Sequence, residues 1–65
     1  MEGKSQQKVM AAGFIILRAD DQPTVRIKFK SSEQLHWKTF GEYVSKAARD
    51  RAMEGFMEEA FYIQD

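Results

Sequence analysis

At Ser45 the apolar residues of this chain stop alternating and begin to recur at a helical spacing. That change of period constrains the fold more than any other feature. Before it, residues 24–30 alternate cleanly, with Val25, Ile27 and Phe29 on one side and Arg26, Lys28 and Lys30 on the other. Successive strand side chains point to opposite faces, so this is the pattern of a half-buried strand with a basic outer row. After it, at about 100° per residue, Ala48, Ala52, Met53, Phe56, Met57 and Ala60 fill one arc of a helical wheel. Phe40, Tyr43 and Val44 fall on the opposite side, so one straight helix from Phe40 to Ala60 would be apolar all round. A break is expected, with Ser45 as the N-cap of the helix.

The remaining elements follow from local chemistry. Residues 1–7 are polar and unpatterned, which predicts a mobile tail ahead of a single domain over residues 8–65. Residues 9–18 are apolar up to Arg18 and rich in β-formers after Gly13, which predicts a first, central strand bulged at that glycine. Ala19-Asp20-Asp21-Gln22-Pro23 is turn chemistry, and Ser31-Ser32-Glu33 is a second turn. A third strand sets Leu35, Trp37 and Thr39 on the inner face against His36, Lys38 and Phe40 on the outer. The helix ends either at Gly55, as a C-cap, or near Ala60, and Phe61-Tyr62-Ile63-Gln64 alternates as a short final strand could. The expected fold is α+β: a small antiparallel three-stranded sheet packed on one C-terminal helix, β-β-β-α, with room for that last strand. Its core should come from Phe14 or Ile15, Ile16 or Leu17, Val25, Ile27, Phe29, Trp37, Ala48, Ala52 and Phe56.

Size and composition narrow the function classes. A chain of 65 residues buries only about 60% of the surface it exposes when unfolded, leaving little room for a pocket. There is no cysteine, and His36 is the only histidine, so neither a disulfide framework nor a metal site is expected. The longest apolar run, residues 10–17, is far short of the ~20 needed to cross a bilayer, and residues 1–7 lack the apolar stretch of a secretory signal. A cytoplasmic protein without membrane contact is expected. No nucleophile with a base, no paired carboxylates and no phosphate loop stand at telling spacings: Ser31, Ser32, Asp20 and Asp21 are turn residues, and His36 is a surface histidine. The expectation is a non-catalytic protein with no cofactor.

The net charge of zero conceals a strong polarisation. Residues 22–51 carry a net +4, and residues 52–65 a net −4 from Glu54, Glu58, Glu59 and Asp65. Lys46, Arg49 and Arg51 sit in the first turns of the helix, where the macrodipole favours anions. Arg49 falls inside the apolar arc, so either its stem lies along the sheet rim or it pairs with an acid of the hairpin turn such as Asp20 or Asp21. With the outer row of the sheet, these cations make a candidate nucleic-acid-binding surface of Arg26, Lys28, Lys30, Lys38, Lys46 and Arg49, bordered by Phe40. The alternative partner is a protein or a second copy of the chain, met by Met10, Met53, Met57, Phe61 and Tyr62.

Three short strands, the last containing tryptophan, lead through an aromatic residue to Ser45-Lys46-Ala47-Ala48 at the start of the helix. This arrangement, over roughly residues 13–59, resembles the three-stranded-sheet-plus-helix DNA-binding domain at the N-terminus of some tyrosine integrases. The resemblance implies a sheet face that reads the major groove and a helix that supports it from behind. The chain departs from that family in its acidic C-terminus.

Overall fold

The computed structural model describes residues 1–65 and is an α+β fold with one four-stranded mixed sheet and two helices. The elements run α1 (Gly3–Ala11), β1 (Ile15–Asp20), β2 (Arg26–Ser31), β3 (Gln34–Glu42), α2 (Lys46–Met57) and β4 (Tyr62–Gln64). In the sheet the order is β3-β2-β1-β4, with β1-β2 and β2-β3 antiparallel and β1-β4 parallel. Thus α2 carries the chain from one edge of the sheet to the other. The expected antiparallel trio and its C-terminal helix are present, and to them are added an N-terminal helix and a parallel edge strand.

The helix α2 begins where the change of period places it. Ser45 is extended, and its hydroxyl oxygen accepts the Ala48 N–H at 3.1 Å, satisfying one of the open donors of the first turn. Gly55 lies inside the helix, which ends at Met57, short of Ala60 and beyond Gly55. Its inner side supplies Ala52, Met53, Phe56 and Met57 to a core centred on Leu17, Ile27 and Met53, with Ile15, Ala19, Phe29, Phe40, Tyr43 and Tyr62 packed around it.

Two expectations are corrected here. The first concerns the N-terminus: residues 1–7 do not stand apart from the fold, and residues 9–11 are helical, so the first strand starts at Ile15 and not at Val9. Gln6 and Met10, one turn apart, are the two buried residues of α1, and α1 lies against β1. Ile16, which alternates with Leu17 and so points away from α2, is fully buried beneath it. Gly13, expected as a bulge within a strand, is the joint between α1 and β1, with φ at +98°, a conformation that glycine adopts freely.

The second correction is the parity of β3. Thr39 stands opposite Lys28 and Lys38 opposite Phe29, while Gly41 stands opposite Ile27 across a register shift. Directly opposed residues share a face, so Trp37 and Thr39 join the basic row and Phe40 turns inward. There Phe40 packs edge-on against Phe29, Phe56 and Tyr62 at centroid distances of 5.6, 5.1 and 5.8 Å. A bulge inserts one residue and bends the strand, and Phe40 sits at that bulge, where its ring reaches α2. Trp37 therefore leaves the expected core and Phe40 leaves the expected surface.

Candidate nucleic-acid interface

The face of the sheet turned away from α2 carries four cations, three of them gathered over one indole ring. Arg18 comes from β1, and Arg26, Lys28 and Lys30 from alternate positions of β2. The Arg18 guanidinium lies 4.3 Å from the Trp37 ring centroid, and the Lys30 and Lys28 ammonium groups lie 4.8 and 5.7 Å from it. Each is within the range in which a cation is attracted to the negative face of an aromatic ring. Trp37 is half-buried by them.

Carboxylates hold most of these cations in place. Asp20 accepts from Arg26 Nε at 3.1 Å through Oδ2, which also lies 3.4 Å from the Lys28 ammonium. Its other oxygen accepts the N–H of Asp21 at 2.9 Å and of Gln22 at 3.3 Å, closing the hairpin turn. Burial opposes the charged form of Asp20, but the Arg26 hydrogen bond, the Gln22 N–H and Lys28 outweigh it and bring its pKa from 3.8 to about 2. Asp65 receives Arg18, whose Nε donates at 2.6 Å. Burial again opposes ionisation there, and the amino-terminal ammonium and Arg18 together hold this carboxyl below its ordinary range. Lys30 is different. It donates to Gln6 Oε1 at 3.3 Å and meets no carboxylate, so its charge is unmatched on this face.

The six cations expected from sequence separate into three groups. Arg26, Lys28 and Lys30 share the face around Trp37. Lys38 is exposed on the edge strand β3, opposite Phe29 and so of the other parity. Lys46 and Arg49 bind the hairpin turn: Lys46 lies 3.2 Å from an Asp21 carboxylate oxygen, and Arg49 donates to the Asp20 carbonyl at 3.1 Å and to the Asp50 carboxylate at 2.9–3.0 Å. These contacts explain why cations stand against the dipole at the start of α2. They dock the helix onto the β1-β2 turn, and the stabilisation from the turn offsets the unfavourable dipole. Arg18 was missed in sequence because it ends an apolar run and its face depends on the position of β1 beside β2. Its alternation with Leu17 was the available signal.

The apolar residues expected to meet a protein partner are largely committed to the fold. Met10 and Met53 are buried, Met57 and Tyr62 pack on the core, and Phe61 remains exposed. On the other side of the molecule Asp50, Met53, Glu54, Met57 and Gln64 line a shallow groove of about 350 Å³ beside α2. No group of three or more histidine, cysteine or acidic side chains is placed to hold a metal ion, and no helix is long and apolar enough to cross a membrane. No protein-family model, curated protein or solved structure matches the chain.

Proposed function

We propose that this protein is a small non-catalytic module that binds nucleic acid through the face formed by Arg18, Arg26, Lys28, Lys30 and Trp37. The observation that carries this reading is the convergence of three cations, Arg18, Lys28 and Lys30, from two neighbouring strands on one half-buried tryptophan, with Arg26 on the same face. Phosphate backbones are drawn to such a surface by charge, and the aromatic ring offers a base a place to stack. Asp20 and Asp65 neutralise part of the patch while fixing the geometry of its donors, which argues for weak binding, with a dissociation constant of about 10⁻⁴–10⁻⁶ M at physiological salt.

The test is fluorescence anisotropy of labelled oligonucleotides at low and at physiological salt, for the parent and for Lys30→Glu. Lys30 has no carboxylate partner, so reversing its charge breaks no ion pair, and circular dichroism with a urea midpoint checks that losing its bond to Gln6 and its contact with Trp37 leaves the fold in place. Binding that weakens as salt rises, and that falls at least tenfold in the variant, supports the reading. No binding by the parent at low salt overturns it.

A further inference from the structure

A duplex groove and a single strand make different demands on this face, and α1 decides between them. The helix lies against β1 on the side that carries Lys30, tied there by the Gln6 to Lys30 hydrogen bond and by the burial of Met10. With its side chains an α-helix is about 10–12 Å across, so α1 stands about that far above the sheet beside the cations. The major groove of B-DNA is about 12 Å wide and about 8.5 Å deep. A bare two-stranded ribbon fits such a groove, but a helix taller than the groove is deep, standing beside that ribbon, limits how far it can enter. What α1 leaves uncovered is the β2-β3 half, where Thr39 is exposed, Trp37 is half-buried, and Arg26 and Lys28, paired with Asp20, keep 22% and 19% of their side chains exposed. It has the form of a step, with a cationic floor and one raised wall.

We infer that this step takes a single-stranded nucleic acid, one base stacking at Trp37 and the adjoining phosphates meeting Lys30 and Lys28. The inference rests on the nucleic-acid reading above and adds the class of strand. The Arg18 guanidinium is oriented by its bond to Asp65 and lies over the indole, so the Arg18-Trp37 pair presents flat, cationic and aromatic surface together. Exposed bases stack on tryptophan rings and on guanidinium planes alike, whereas bases in a duplex are already stacked on one another. Thr39 Oγ1 accepts from Arg26 Nη1 at 3.0 Å, which fixes that guanidinium on the same face as the ring. Charge draws the backbone, and stacking selects the unpaired strand.

The experiment measures binding of the parent to three probes of the same length, about twelve nucleotides: an oligothymidylate, the same backbone with abasic sites, and a duplex. An oligouridylate arm separates DNA from RNA as the source of the strand. Trp37 is the only tryptophan, so its fluorescence reports contact directly. The expected result is about tenfold tighter binding of the single strand than of the abasic or duplex probes, with Trp37 quenched by the single strand alone. Trp37→Leu should lose that preference and Trp37→Phe should keep most of it, with circular dichroism checking the fold of both. The abasic comparison on the parent stands even if Trp37→Leu does not fold. Salt-dependent binding that is equal for duplex, abasic and single-stranded probes, without quenching, overturns the single-strand inference and leaves the nucleic-acid reading standing. Absence of binding to every probe at low salt overturns both.

Discussion

The guanidinium of Arg18 on β1 lies 4.3 Å from the ring centroid of Trp37 on β3, spanning the whole width of β2. Three strands are thereby tied together on the face away from the helix α2, by a contact between residues far apart in sequence. The same side chain bonds Asp65, so its position is set from two sides. Replacing Arg18 by Gln should destabilise the protein by about 1–2 kcal/mol, measured as a shift of the urea midpoint followed by Trp37 fluorescence. Arg18→Lys should recover less than half of the loss, because an ammonium group lacks the flat, forked donor surface. A lysine variant as stable as the parent would show that charge, and not stacking, fixes the contact.

Phe40 is the aromatic hub on the opposite face, in edge contact with Phe29, Phe56 and Tyr62. Truncating Phe40 to Ala should cost about 3 kcal/mol, since it leaves a void among three rings. Leu35 on the same strand is 64% exposed, and Leu35→Ala should stay within about 0.5 kcal/mol. Equal urea midpoints for the two variants would contradict the assigned parity of β3.

That parity marks the limit of what alternation could say. The strand β2 was legible because Val25 to Lys30 alternates without interruption, and α2 because its stripe stays in phase through Gly55. In β3 the residues Leu35, Trp37 and Phe40 do not share one period, since register shifts separate the pairings of Ile27 from Lys28 and of Phe29 from Ser31 with this strand. A slip of one residue exchanges the faces, and only the partner strand fixes it. The helix α1 was illegible for another reason. It has no side-chain cap, and of its nine residues only Gln6 and Met10 are buried. A helix this short is marginal alone and is held by the sheet beneath it, a tertiary effect that local propensity does not contain. For the candidate site, the row Arg26, Lys28 and Lys30 was readable, whereas its centre at Trp37 depended on the face of β3.

Ser45 caps α2 with a single hydrogen bond to Ala48, at a helix end whose first turn contains no acid. Ser45→Ala should cost about 0.5–2 kcal/mol, whereas Ser45→Asp should retain the cap and favour the dipole. Urea titrations of the two variants beside the parent check the order: aspartate at or above serine, alanine below both.

Asp20 predicts an acid limb in the stability profile. Its pKa is about 2 in the folded protein against an ordinary 3.8, so between those values the unfolded chain binds more protons than the folded one. The stabilisation from its bonds to Arg26 and Lys28 is therefore complete above about pH 4 and is lost as pH falls towards about 2. Asp20→Asn should lower the urea midpoint at neutral pH and flatten its fall across that window. A variant whose acid limb is as steep as the parent's would assign that limb to other carboxylates.

Two glycines, Gly55 inside α2 and Gly13 just after α1, should respond in opposite directions to the same substitution. Gly55 lies inside α2 with ordinary backbone angles, and a Cβ there would meet nothing within 4 Å. Alanine loses less backbone freedom on folding, so Gly55→Ala should raise stability by about 0.5–1 kcal/mol. Gly13 also has open space around it, but its φ of +98° is one that alanine adopts only with strain. Gly13→Ala should therefore destabilise the joint between α1 and β1 by about 1 kcal/mol or more, and amide exchange of α1 should quicken as its hold on the sheet loosens. Since space is equal at the two sites, opposite signs in the urea midpoints isolate backbone conformation as the cause. A Gly13→Ala variant with unchanged stability and unchanged exchange in α1 would mean that α1 can re-seat through a different turn.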